Sequence, residues 1–165
     1  MKVVANSSVL ISLSAINQLD LLKHRFPDGV AIPRAVWREV IETGEGQIGS
    51  EKVRSSKWIK VIDVKDSNFV NLLRMELDEG EAEAITLFRE IQADIILLDE
   101  KDGRKIARRL GQKVLGTVGI LLWAKKNGKI DSLEEHLNLL HIKGKFRLGN
   151  AVYQRALEIA GEVKQ

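Results

Sequence analysis

Residues 95–98, Ile-Ile-Leu-Leu, are four consecutive large apolar side chains that run directly into two acids, Asp99 and Glu100. An extended run without alternation has no polar face to give to water. It therefore reads as a strand buried on both sides, the habit of a parallel sheet covered by helices. The acids that follow fall at the carboxyl end of that strand, where parallel sheets bind ligands. Upstream, a helix starting near Gly80 sets Ala84, Ile85, Leu87, Phe88 and Ile91 on one apolar face at 3.6 residues per turn, and Glu81 falls inside that face. Glu83 groups instead with Thr86 and Glu90 on the polar side and reads as a solvated charge. A first-turn glutamate on the buried stripe is either a cap for the helix dipole or an acid aimed into a site. The two acidic points can converge.

The same alternation recurs along the chain. Residues 2–5 form a short apolar strand, and Asn6-Ser7-Ser8 precedes Val9, Leu10, Ile11 and Leu13 as a helix start. A helix at 19–26 ends in the turn Pro27-Asp28-Gly29, and 30–32 is a strand. Pro33 then opens a helix to about residue 43, with Glu39 at the edge of its apolar side. Residues 44–50, with three glycines, form a loop; 58–64 alternates weakly, as an edge strand does; 66–75 is helical. Helix 101–110 closes on Gly111, 114–115 is a short strand, and the Gly116–Gly119 turn opens a helix at 120–127. Two last helices, 133–142 and 149–162, flank a basic turn at 143–147. Strand and helix in repeated alternation predict an α/β three-layer sandwich around a mainly parallel sheet, as one domain over residues 1–165.

Composition removes several function classes. A chain of 165 residues can bury about 70% of its unfolded surface without staples. It has no cysteine, which excludes disulfides, zinc–thiolate sites and a thiol nucleophile. The lack of a spanning apolar run or a signal-peptide pattern predicts a cytoplasmic location. There is no G-x-G-x-x-G after the first strand and no Walker loop, so a dinucleotide or nucleoside triphosphate site is not expected, and Gly116–Gly119 reads as a tight turn. His24, His136 and His141 are not at ligand spacing and read as surface or helix-packing residues. Trp37, Trp58 and Trp123 are spread without basic interleaving and read as core or half-core. What remains is oxygen chemistry: Asn6, Glu39, Glu81, Asp99 and Glu100 supply the ligands that hard divalent cations take. A net charge of +3 hides an uneven distribution, an acidic knot at 76–83 followed by Arg104, Lys105, Arg108, Arg109 and Lys113. An acidic spot beside a basic run fits a metal next to a phosphate-bearing substrate, and equally fits two solvated helix faces.

Taken together, residues 3–11 (VVANSSVLI), Ile32-Pro33-x-x-Val36-x-x-Glu39-Val40, residues 80–85 (GEAEAI), Leu97-Leu98-Asp99-Glu100 and Gly116-Thr117-Val118-Gly119 resemble PIN-domain proteins over nearly the whole chain. More narrowly, they resemble the little-characterised PIN-like branch related to VapC-type toxins. The resemblance implies a sheet whose strand ends gather acids around Mg2+ or Mn2+ for hydrolysis of RNA. By position, Asn6 stands where the family's first aspartate stands, Glu39 and Glu81 stand for the second and third acids, and Asp99 or Glu100 supplies the fourth. The departure is Asn6, whose amide oxygen can ligate a hard cation but brings one negative charge fewer. The function implied is a metal-dependent ribonuclease, as the toxin of a toxin–antitoxin pair; the alternative is a catalytically degenerate scaffold that binds nucleic acid or a protein. Arg104, Lys105, Lys143, Lys145 and Arg147 are the expected phosphate contacts. A homodimer and a small inhibitor protein are expected as partners. Leucines 19, 21 and 22 and those in 133–140 look like more than one such domain needs to cover itself, with ordinary core packing as the alternative.

Overall fold

The computed structural model describes residues 1–42, 49–144 and 146–163; most of the expected loop at 44–50, and Lys145, lie outside them. Five strands, β1 (Val3–Ala5), β2 (Val30–Ile32), β3 (Ile59–Val61), β4 (Ile95–Leu97) and β5 (Val114–Leu115), form one sheet in the order β3-β2-β1-β4-β5. Every pairing is parallel, with Ala5 beside Leu97 and Ile32 beside Val61. The expected edge strand at 58–64 is β3, shortened to three residues.

The two-residue period of the strands divides the core. Val3, Ala5, Ile95 and Leu97 point into one apolar cluster, whereas Val4, Ile96 and Leu98 point into the other. The first cluster is closed by α1 (Ser7–Ala15), α2 (Asp20–Arg25), α4 (Ser50–Ser55), α8 (Thr117–Lys126), α9 (Leu133–Lys143) and α10 (Asn150–Ile159). The second is closed by α5 (Ser67–Leu73), α6 (Glu79–Glu90) and α7 (Lys101–Arg109). Helices on both faces of a parallel sheet complete the expected three layers, and α4 is an element the sequence pattern did not announce.

Three departures bear on the site. Pro33 does not lie inside a helix; it precedes the short α3 (Arg34–Trp37), after which the chain widens into a π-helical stretch, Arg38–Glu42. A π turn changes the direction of the side chains it carries, and such turns are frequent at functional sites. Here Val40 and Ile41 are buried while Glu39 is turned outward. Helix α8 begins at Thr117, three residues before the expected start, because a cap reaches it from another element. Of the leucines in question, Leu19, Leu21, Leu22, Leu133, Leu137 and Leu140 are buried in this domain's own core and Leu139 is half-buried against it, so core packing accounts for them without a second copy. Among the described residues, no helix is long and apolar enough to cross a membrane.

Candidate active site at the strand ends

The carboxyl ends of β1, β2 and β4 open on one side of the sheet, and the acids of the sequence gather there. Asn6 follows β1. Its main-chain N–H donates to Leu97 O at 2.9 Å, and it occupies the N-cap position of α1. Asparagine at that position normally accepts a hydrogen bond from the first turn of the helix. Asn6 does not: it is 2% exposed, and its Oδ1 is buried without a hydrogen-bond partner among the described residues.

That oxygen meets Glu39 and Asp78 at the first turn of α6. A Cβ placed on Gly80 would stand 3.1 Å from Glu39 Oε2, 3.3 Å from Asn6 Oδ1 and 3.6 Å from Asp78 Oδ1. The three oxygens therefore surround one point, and a glycine there is what lets them approach. Asp78 is the N-cap of α6 and forms a capping box with Glu81: Glu81 N–H donates to Asp78 Oδ1 at 2.8 Å, and Asp78 N–H donates to Glu81 Oε1 at 3.3 Å. Glu81 is thus a cap, one of the two roles open to it from the sequence. Its second oxygen, Oε2, is buried and unpartnered against α7, where a Cβ on Gly103 would lie only 2.7 Å away.

The electrostatics are those of an acid cluster. Glu39 keeps contact with solvent, but partial burial of its carboxyl, with Asp78 and Glu100 nearby, raises it, while a hydrogen bond from Ser7 partly offsets the rise. Burial first, then the Asp78 charge, pushes Glu81 to about 7. Like charges that hold one another partly protonated are the condition a divalent cation relieves.

Asp99 is differently placed. Its Oδ1 accepts Thr117 N–H at 2.8 Å and its Oδ2 accepts the Thr117 hydroxyl at 2.6 Å, which caps α8 from the end of the neighbouring strand. Burial raises its carboxyl, against the two Thr117 bonds and the Arg104 guanidinium. Arg104 in turn donates to Leu98 O at 3.1 Å. The Gly116–Gly119 turn is therefore a capped helix start. Its first N–H, at Thr117, is already used.

A cleft of about 440 Å³ brings Asn6, Glu39, Asp78, Asp99, Glu100 and Arg147 to one surface. Glu81 stands behind that lining. Arg104 sits beside it on Asp99; Lys105 and Lys143 are exposed on α7 and α9. Asp78 belongs to the site and escaped the sequence reading, although the spacing Asp78-x-x-Glu81 before an apolar helix is a capping-box signature.

Glu83 requires a correction. It is not a solvated charge: it is 7% exposed, and its Oε1 accepts Ala35 N–H at 3.1 Å, capping α3, whose own N-cap residue is a proline. Thr86 is fully buried as well, its hydroxyl donating to Ala82 O at 2.8 Å. Helical angles assume one covered face, but α6 packs on the sheet, α5 and α7 and also on α3. The Arg38–Glu79 ion pair, 3.2 Å, ties the π-helical stretch that follows α3 to the same helix α6. The helix bearing Glu39 is thereby fastened to the helix bearing Asp78.

Among the described residues, no three of His, Cys, Asp and Glu form a group that would hold a metal ion by themselves. The nearest arrangement is completed by an amide: Asn6, Glu39 and Asp78, all oxygen donors, two of them charged. That donor set, with an orphaned amide oxygen among its members, fits a hard cation that keeps several waters. In comparison with known proteins, a family model described as a PIN domain matches residues 2–162. No curated protein matches the chain.

Proposed function

The chain belongs to the PIN-domain family, and on that premise we propose that it is a divalent-metal-dependent endoribonuclease. The observation that carries this reading is the convergence of Asn6 Oδ1, Glu39 Oε2 and Asp78 Oδ1 around Gly80, with the buried Asn6 oxygen lacking a donor. These three residues would hold Mg2+ or Mn2+, with Glu100 close enough to add its charge. When bound, such an ion supplies an activated water and neutralises charge on a phosphodiester. The chain's own residues do the rest: Arg147 draws a phosphate into the cleft, Glu81 fixes Asp78 through the capping box, and Glu83 holds the Glu39 helix in register. Asp99 stays with Thr117 and sets the floor of the cleft.

A second reading, a scaffold that binds without cleaving, is favoured by one observation: the residue at the end of β1 is an amide, which removes a charge from the ligand set. Cleavage of single-stranded RNA in Mn2+, run with the native chain and with Asn6→Asp, decides between them. Activity in the native chain supports the enzyme, and activity gained only by the variant supports the scaffold. A toxin-like role further asks for a small inhibitor protein, sought by co-purification from the native host, and the expected homodimer is tested by light scattering.

A further inference from the structure

Phe146 borders two cavities at once. One is the acid cleft; the other is a groove of about 300 Å³ between α9 and α10, whose walls include Asn138, His141, Ile142 and Tyr153. The groove is mixed in chemistry. Ile142 is 72% exposed, and Phe146 and Tyr153 are half-buried rings. The Tyr153 hydroxyl donates to Asn138 Oδ1 at 3.2 Å, which orients that amide and leaves its nitrogen as a donor. His141 is exposed, and Arg147, next to Phe146 in the chain, is exposed on the cleft side.

An aromatic ring set between an acidic cleft that carries an arginine and an apolar groove with hydrogen-bonding edges is the layout that holds single strands: backbone along the charges, bases against rings. We propose that the α9–α10 groove is a nucleobase subsite. An unpaired base adjoining the phosphate in the cleft packs against Phe146 and Tyr153, while Asn138 and His141 meet its edge. This rests on the nuclease reading and adds to it a place for a base outside the acid cleft, one that only an unpaired base can enter, since a duplex keeps its bases stacked and paired. A partner helix or a second copy would also cover Ile142. The continuity with the cleft through Phe146, and the cation of Arg147 beside it, favour a nucleotide.

The test uses the full chain in calcium, with an end-labelled uridylate decamer and an abasic decamer of the same length and charge, read by fluorescence anisotropy. The uridylate is expected to bind about tenfold more tightly. Phe146→Leu, which keeps apolar volume, should remove most of that advantage, and Phe146→Trp should keep it. Equal affinity for the two decamers, no binding of either, or an unchanged ratio in Phe146→Leu overturns the proposal. A dimer mass in light scattering that Ile142→Lys abolishes, with nucleotide binding unaffected, would instead give the groove to a second copy. The two readings fail separately. Base-dependent binding without cleavage in Mn2+ keeps the subsite and removes the nuclease; cleavage without base dependence does the reverse.

Discussion

Asn6 and Asp99 end neighbouring parallel strands, and the fold treats them in opposite ways. Asp99 has both oxygens answered: Thr117 donates one hydrogen bond to each, and Arg104 stands beside it. Asn6 is buried with its side-chain oxygen unanswered, facing two carboxylates. Leaving a buried acceptor without a donor costs about 1–3 kcal/mol, a cost the chain could have avoided with an alanine. The satisfied end therefore contributes to folding, and the unsatisfied end keeps oxygens available for something that arrives later.

The strongest way to break this contrast is at Glu39. Glu39→Gln removes one of the two carboxylates nearest the Gly80 point, and metal-dependent cleavage should fall by more than the roughly 10–100-fold that losing an outer partner of a metal site costs. Stability should hold or rise, since a like charge is gone. Cleavage assays beside urea unfolding measure both. A loss of stability with activity intact would reverse the assignment of the two ends.

Thr117→Val asks the opposite question at the Asp99 end. It removes the hydroxyl donor to a carboxylate and should lower stability by about 1.5–3 kcal/mol, leaving Mn2+ affinity by calorimetry nearly unchanged. A matching loss of metal affinity would place Asp99 among the ligands after all.

The pH dependence sharpens the comparison further. Glu81 sits near 7 in the folded chain against an ordinary 4.5. The folded state thus binds the proton more tightly than the unfolded state. Its contribution to stability is full below pH 4.5 and is lost as pH rises towards about 7. Glu81→Gln should flatten that slope, as read by thermal unfolding from pH 4.5 to 7.5. Saturating Mn2+ should do the same for the native chain if the ion shares the cluster's field.

How far the sequence could be read follows from these particulars. The unbroken apolar run at 95–98 announced a doubly covered parallel strand, because burial on both faces leaves no other pattern. Glu81 was visible for the same reason, a charge on an apolar stripe. Glu83 was misread because its partner is a main-chain N–H 48 residues away, at Ala35, and a helix covered on a second side has no polar face to predict. Its worth is now measurable: Glu83→Ala should cost about 1 kcal/mol, the usual value of a lost N-cap, and Glu83→Gln, which keeps an acceptor, should cost less. The π-helical stretch that turns Glu39 outward has no signature in residue type, and neither does the choice of Asp99 rather than a local residue as cap for α8.

The smallest expected effect separates the cations of the two ends. Arg104 is close to the cleft, but its guanidinium is committed to Leu98 O and the Asp99 charge, so little of it is left for a phosphate. Arg147 is exposed and lines the cleft directly. Binding to single-stranded RNA releases counterions in proportion to the phosphates neutralised, with a slope of about 0.7 per contact in log affinity against log salt. Arg147→Gln should therefore reduce that slope by about 0.7, at equal cost for every RNA sequence. Arg104→Gln should leave the slope alone and lower the urea midpoint, because a buried carboxylate loses its cation. Lys105→Gln, exposed on α7 and off the cleft wall, should change neither. The measurement is anisotropy across a salt series with the three variants. Equal slopes for Arg104→Gln and Arg147→Gln would mean that the Asp99 end takes phosphate as readily as the Asn6 end, and the division between a folding corner and a binding corner would go with it.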